Sequence, residues 1–366
     1  MFKAIKILFL FALWLMPALA SAQGNLPEKI FPAEVVEIVK EEKAPASNGG
    51  LMKQQDLKLK GLEGEYKDKV IEYKGIGMPE MIQKNVYERG DKVLVEAGFD
   101  DKGGVVYFIT DYYRLSGIFW LSVIFILSLL VIGRWKGVRS LIALALTFVV
   151  IMKYILPQII DGADPIAVTL IGSLVILLLI IYTTEGFRVS SHLTIASILL
   201  SLVLTVMLSW IFVGITQLSG LANEEASFLI GLGDGQIVNF KGLLLAGIII
   251  GALGVLDDVV VSQVTAVKEI YDADPSQSRT QLFKKAFNIG TSHISSMTNT
   301  LFLAYAGASL PLLILFLSGQ SAFSSSVQAL NNETLATEIV RTLAGSIGLI
   351  SAVPVSTLLA TLWFKK

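Results

Sequence analysis

The sequence predicts a bundle of membrane-spanning helices, all α in class, that follows a small extracytoplasmic β-rich domain of barrel-like form. Two observations lead to this fold class. Hydrophobic residues make up 54% of the 366 residues and charged residues only 16%, whereas soluble domains carry about 25% charged residues. Long apolar runs fill the chain after residue 114, while the ninety or so residues before it are polar and alternate in short strand-like runs.

Composition also excludes several kinds of function. The net charge of −1 lacks the basic excess that a nucleic-acid partner requires. The absence of cysteine rules out disulfides, thiolate metal sites and a catalytic thiol. No residues have the ligand spacing of a zinc or calcium site, so we expect no metal and no other cofactor.

Residues 1–22 have the pattern of a signal peptide. Lys3 and Lys6 precede an apolar core, and small residues at 20–22 form a cleavage site before Gln23. An uncleaved first helix is the alternative. Both interpretations place Gln23 on the outer side of the membrane.

The sequence pattern of residues 23–114 predicts the outer β-domain. Runs of alternating apolar and polar residues are typical of half-buried strands and occur at 35–39, 56–60, 70–74, 92–96 and 105–110. About five short strands in this length favour a small barrel, OB-like in form. Because its acidic and basic residues are intermixed, we expect a partner-facing or structural module rather than an oligonucleotide-binding one.

Residues 115–366 predict seven membrane spans in the lipid bilayer, at 115–133, 140–160, 165–182, 190–216, 242–267, 289–317 and 340–364. Entering from outside, the chain ends in the cytoplasm. The inner segments then carry most of the basic residues among the spans, as the positive-inside rule requires. These are Arg134, Lys136, Arg139, Arg188, Lys268, Arg279, Lys284, Lys285, Lys365 and Lys366.

The fifth span contains two adjacent aspartates, Asp257 and Asp258. A carboxylate within a membrane costs roughly 2.5–3.5 kcal/mol or more, so it is rare without a partner or a function. Asp258 shares one helical stripe with Gly247, Gly251 and Gly254, and the GxxxG spacing of the first two allows close packing of another helix and favours a homo-oligomer. We therefore expect Asp258 to point into a helix–helix seam, with Asp257 turned about 100° away.

The sixth span offers polar partners for this stripe. Ser292, Ser296 and Asn299 recur at helical spacing, and His293 is adjacent. Together with the two aspartates they form a candidate site for coupling to protons or ions. The alternative is that the aspartates lie at the inner interface, solvated or paired with lysines such as Lys284.

A short motif at residues 231–234 (GLGD) matches the GxGD string of intramembrane aspartyl proteases. It falls in a predicted outer loop, and no tyrosine–aspartate partner motif precedes it. Gly and Asp are common turn residues. We therefore expect no enzyme activity.

Three long passages carry a family resemblance: GLLLAGIIIGALGVLDDVVVS, SHISSMTNTLFLAYAGASLPLLIL and EIVRTLAGSIGLISAVPVSTLLA. They resemble the YibE/F-like family of multi-pass bacterial membrane proteins, over about residues 115–364. The resemblance implies a location in the bacterial inner membrane, and it aligns the family's G-A-L-G-x-x-x-D aspartate with Asp258. It also implies an acidic residue where this chain has Ser292, and it brings no established activity.

Two hypotheses about function follow. An aspartate near the inner end of one span and a polar neighbouring span also resemble the permease half of RND-type transporters and protein-export factors. That resemblance implies a proton-coupled secondary transporter or permease of unknown substrate. The alternative is a membrane scaffold or export accessory protein whose outer β-domain binds a protein partner.

Overall fold

A computed structural model describes residues 30–45, 51–78, 85–99, 104–222, 226, 228–229, 239–318 and 325–365. The predicted signal peptide at 1–22 and the GLGD string at 231–234 lie outside these described residues. The chain divides into two compact units, Met1–Phe125 and Ile126–Lys366.

The first unit contains one antiparallel sheet of five strands: β1 (Ile30–Pro45), β2 (Leu51–Gly61), β3 (Val70–Lys74), β4 (Lys92–Phe99) and β5 (Val105–Tyr112). Their order is β3-β2-β1-β4-β5. Each of the five predicted strand runs lies within one of these strands. In the described residues no hydrogen-bonded pairing joins β3 to β5, so the sheet is confirmed but the closed barrel is not.

The sheet forms because alternate side chains of each strand share one face. This face carries the core of the unit, which includes Phe31, Val35, Leu57, Leu59, Val93 and Val95. Two buried glutamines of β2 connect the sheet to the segment that follows β3. The side-chain amide of Gln55 bonds the N–H and C=O of Tyr87 at 2.8 and 3.0 Å, and that of Gln54 bonds Gly77 and Met78, each at 2.9 Å.

The rest of the chain is helical. Its helices are α1 (Leu115–Val150), α2 (Leu156–Ile160), α3 (Pro165–Thr184), α4 (Val189–Ile215), α5 (Phe240–Ala273), α6 (Arg279–Ala308), α7 (Leu310–Leu317), α8 (Ser326–Leu330) and α9 (Glu333–Phe364). A π-helical turn, Ile151–Ile155, joins α1 to α2. Several helices begin at a capping side chain: Asp164 accepts from Ala167 N–H, Asn239 from Gly242 N–H, and Ser278 and Gln281 form a capping box.

Five helical stretches of the described part are long and apolar enough to cross a membrane, and a bent pair raises the number to six. The pair is α6 and α7, which meet at 66° two residues before Pro311. The predicted number of seven is therefore not confirmed. The difference comes from Leu115–Ile160, which is one 46-residue helical stretch where the sequence predicts two spans.

This long stretch is interrupted at Arg134, where φ is 49° and ψ is −127°. A Cβ on Gly137 would overlap the carbonyl oxygen of Leu129. In a straight helix, two residues that are eight positions apart are separated by about 12 Å. The chain therefore turns sharply at Arg134, within the predicted inner connection at 134–139.

Helices α3, α4, α5 and α9 form the core of the second unit. Their buried apolar side chains include Ile176, Leu177, Ile198, Leu202, Leu253, Leu256, Val260 and Ala352. The approach of α9 to α4 is closest at Gly348, where an added Cβ would overlap the Thr205 hydroxyl. Small and hydroxylated residues of this kind allow close helix packing in membranes.

Candidate functional site

The two aspartates lie in the middle of α5 and occupy different environments. Asp257 is half-buried, and its Oδ1 atom is buried with no hydrogen-bond partner in the described part of the chain. Asp258 is exposed. One step of 100° along the helix therefore separates a carboxylate at the edge of the packed bundle from one on the open face.

The packing of α5 explains this difference. Large apolar residues such as Leu253, Leu256 and Val260 lie on one side of the helix and pack against α3 and α4. Large side chains make more van der Waals contacts with neighbouring helices than glycines do, so this side faces the bundle. Asp257 borders the packed side, close enough to Glu185 at the end of α3 for the two carboxylates to interact electrostatically.

The prediction that Asp258 points into a seam with another helix is wrong within this chain. Asp258, Gly247, Gly251 and Gly254 are all exposed. The nearest approach to this stripe comes from the Tyr305 hydroxyl, which lies 3.5 Å from the position of a Cβ on Gly251. Packing of this face against a second copy of the chain stays a prediction.

The predicted polar partners in α6 also lie on an uncovered side. Ser292, Ser296 and Asn299 are exposed, and His293 is half-buried. The opposite side of α6, which includes Met297 and Leu301, packs against α5 and α9. Among the described residues no hydrogen bond joins either aspartate to these four polar side chains.

A buried polar junction that the sequence interpretation missed lies further along α5, at Gln263. This side chain is fully buried, and its amide nitrogen donates to the Ala286 carbonyl of α6 at 2.9 Å and to the Thr357 hydroxyl of α9 at 2.7 Å. Gly290 makes room for it, since an added Cβ would lie 2.8 Å from Gln263 Oε1. The sequence does hold a signal for this junction, because Gln263 is a glutamine within the apolar run that follows the aspartates.

Buried hydroxyl groups were also missed, although their spacing is regular. Six side chains recur every three or four residues along α4 and are all buried: Ser191, Thr194, Ser197, Ser201, Thr205 and Ser209. Three of them, Ser197, Thr205 and Ser209, donate to the backbone carbonyl four residues earlier in the same helix, as Thr205 does to Ser201 at 2.9 Å. The hydroxyls of Thr169, Ser173, Ser201 and Thr361 are buried without a partner among the described residues.

The unpartnered carboxylate oxygen of Asp257 is the feature of this region with the clearest chemical consequence. No group of three or more His, Asp or Glu residues in the described ranges lies close enough to hold a metal ion. A carboxylate with no partner can exchange a proton, and in a packed apolar surrounding its charged form lacks compensation. Asp257 is the side chain of the pair that meets this condition.

Comparison with known proteins gives a family but no characterised relative. A model of the family described as YibE/F-like protein matches residues 121–366, which is more than half of the chain. The resemblance found in the sequence is thereby confirmed. No curated protein and no solved structure matches the chain.

Proposed function

Since this chain belongs to the YibE/F-like family and carries several helices able to span a membrane, we propose that it is a proton-coupled secondary transporter or permease. Asp257 takes up and releases the proton. The observation that carries the proposal is the buried, unpartnered Oδ1 of Asp257. Ionisable residues inside membrane spans are rare and mark ion and proton pathways in membrane proteins.

Because Asp258 is exposed, we assign it a different role from that of Asp257. Asp258 lies on the open side of α5 with the glycine stripe, where a second protein surface would shield its charge from lipid. Glu185 adds a third carboxylate near Asp257. Glu185 acts as the neighbouring group that receives or delivers the proton, Asp257 holds the proton within the bundle, and Asp258 takes no part in the transfer.

The proposed architecture keeps seven spans. The sharp turn at Arg134 divides the 46-residue stretch Leu115–Ile160 into two spans, and the bent pair of α6 and α7 forms one more. With the outer β-domain at 23–114, this arrangement leaves the C-terminus in the cytoplasm of a bacterial cell. The basic residues near the turn, Arg134, Lys136 and Arg139, then lie on the inner side, in agreement with the positive-inside rule.

Coupling would arise from the packing around Asp257. Protonated, the side chain is neutral and tolerated beside the apolar faces of α3 and α5. Deprotonated, it carries an uncompensated charge that costs several kcal/mol in this position. The bundle relieves that cost when it opens Asp257 to water, so proton release and helix movement occur together.

The test is proton flux through the full chain in lipid vesicles, followed with an enclosed pH-sensitive dye under an imposed membrane potential. Asp257→Asn keeps the size of the side chain and removes the titratable proton. We expect the proton flux of this variant to fall to the level of protein-free vesicles.

Asp258→Asn is the matched control, because it makes the same chemical change one residue away on the exposed side. We expect this variant to retain most of the flux. The assignment of Asp257 fails if both variants conduct like the unaltered protein. The transport proposal itself fails if the unaltered protein conducts no protons under any imposed gradient.

A further inference from the structure

Four basic side chains lie at the end of the helical unit where α5 ends, α6 begins and α9 ends. Arg279, Lys284 and Lys285 belong to the first two turns of α6, and Lys365 follows α9. Two hydrogen bonds hold these segments together. Arg279 Nε donates to the Lys365 carbonyl, and Lys365 Nζ donates to the Pro275 carbonyl at 2.7 Å. We call these four side chains the basic end.

Aromatic side chains mark the level of the basic end relative to a membrane. The rings of Tyr271 and Phe364 stack with their centroids 6.2 Å apart, and Trp363 is exposed beside them in the sequence. Trp and Tyr are enriched where a bilayer meets water. Two helices able to cross a membrane, Phe240–Ala273 and Glu333–Phe364, also end here. The basic end therefore lies where these helices leave the apolar layer, at the level of lipid headgroups.

The charges of the basic end are only partly used within the protein. Lys284 and Lys285 are exposed, and neither forms an ion pair in the described part of the chain. Asp274 is close enough to interact electrostatically with Lys285 and Lys365. Over residues 268–285 and Lys365 together, however, five basic residues stand against three acidic ones. This end of the unit therefore keeps a positive charge.

The next turns of α6 add neutral polar groups on the same exposed side. Asn288 follows the two lysines at helical spacing, and Ser292 follows Asn288 one turn later. Both side chains are exposed, and neither has a hydrogen-bond partner among the residues that the structure describes. An acyl chain offers them no hydrogen bond, whereas the phosphate and hydroxyl oxygens of a headgroup do.

We propose that the basic end binds the headgroup of an anionic phospholipid, with the phosphate on Lys284 and Lys285 and a further headgroup oxygen on Asn288. Arg279 and Lys365 strengthen the attraction through their charge. Clusters of about four or more basic residues beside a membrane helix are typical of anionic-lipid binding. This binding requires no proton transfer at Asp257.

The test titrates the full chain in detergent with phosphatidylglycerol or with phosphatidylcholine and follows the first bound lipid by native mass spectrometry. The populations of free and lipid-bound protein give a Kd for each lipid. We expect phosphatidylglycerol to bind more tightly than phosphatidylcholine, and the difference to shrink as salt is added. Equal Kd values for the two lipids would overturn the proposal, because the surface would then not select a negative charge.

Variants of α6 locate the bound headgroup. Lys284→Gln and Lys285→Gln should each weaken phosphatidylglycerol binding about fivefold, since each removes one basic charge at the membrane surface. Lys284→Arg keeps the charge and should bind nearly as the unaltered protein does. Asn288→Leu keeps both lysines and should weaken binding by a smaller factor. Unchanged binding in both glutamine variants would show that the surface is wrong.

Lys136→Gln is the matched control for charge, because Lys136 is an exposed basic residue in another connection between apolar runs. It should leave the affinity for phosphatidylglycerol unchanged, and so should Asp257→Asn, which separates this surface from the proposed proton site. If Lys136→Gln weakens binding as much as Lys284→Gln does, overall charge rather than the basic end attracts the lipid. Displacement of the lipid by dissolved glycerol phosphate would make this a site for a soluble phosphate compound and would overturn the lipid assignment.

Discussion

The two units of the molecule differ in the pairing of some of their buried polar groups. In the sheet unit, the buried amides of Gln54 and Gln55 each bond backbone groups of a neighbouring loop. In the helical unit, the carboxylate of Asp257 and the hydroxyls of Ser173, Ser201 and Thr337 are buried without partners in the described residues. Satisfied polar groups fix a fold, whereas unsatisfied ones cost stability and are available for binding or proton exchange.

Loss of the Gln55 side chain should have the largest effect on stability. Gln55→Leu leaves the N–H and C=O of Tyr87 buried and unpaired, which should lower the free energy of unfolding of the sheet unit by about 3 kcal/mol. Hydrogen exchange of the segment from Tyr87 to Phe99, measured by mass spectrometry on the intact protein, reports this loss. Glu37→Gln is the control, because it removes only an exposed ion pair with Lys58; unchanged exchange in Gln55→Leu would show that the amide does not hold the loop.

High pH should destabilise the sheet unit nearly as much. Burial raises the pKa of Tyr87 from 10.0 to about 12. The unfolded chain then loses its proton at lower pH than the folded one, so stability is full below pH 10 and falls as pH rises toward 12, by up to about 3 kcal/mol. Tyr87→Phe should remove this part of the pH dependence in the same exchange measurement. If Tyr87→Phe loses stability equally steeply as the pH rises, other groups cause the pH dependence.

The next largest effect on stability should come from close helix packing in the helical unit. Gly348→Ala should place a methyl group against the Thr205 hydroxyl and lower the unfolding free energy by about 2 kcal/mol. Detergent-induced unfolding followed by circular dichroism measures this change. Gly345→Ala on the same helix is the control, because a Cβ there meets no atom within 4 Å and should be neutral or stabilising. Thr205→Ala should rescue Gly348→Ala, and a failure to rescue would mean that the strain lies elsewhere.

The smallest effect compares two threonines of α9. Thr357→Val removes a hydroxyl that accepts a hydrogen bond from Gln263 and should cost about 1 kcal/mol. Thr361→Val removes a hydroxyl that has no partner among the described residues, so it should be neutral or slightly stabilising. The same unfolding experiment compares them. A destabilising Thr361→Val would mean that this hydroxyl does have a partner and would weaken the contrast between the two units.

Much of the fold followed from the sequence because its signals are periodic. Alternation located the five strands, and apolar length located the long apolar helices. The number of spans was not confirmed, because Leu115–Ile160 is one helical stretch with an interruption at Arg134, and a basic residue between two apolar runs does not reveal how such a stretch lies in a membrane. Barrel closure depends on contacts between distant strands, which alternation does not encode.

The site was harder to predict than the fold. The sequence predicts a stripe that contains Asp258, but a stripe of small residues fits a packed face and an open face equally well. Large apolar residues decided the orientation of α5 and brought Asp257, rather than Asp258, to the bundle. The role of Gln263 depends on what lies opposite it in α6 and α9, and that information is absent from its own segment.

The junction at Gln263 has a mechanical consequence. Its amide ties α5 to α6 and α9 at one level, with both acceptors buried. A motion that separates any two of these helices must break a buried hydrogen bond, whereas a motion that carries all three together breaks none. We therefore expect the parts of α5, α6 and α9 that meet at Gln263 to move together when the helices rearrange.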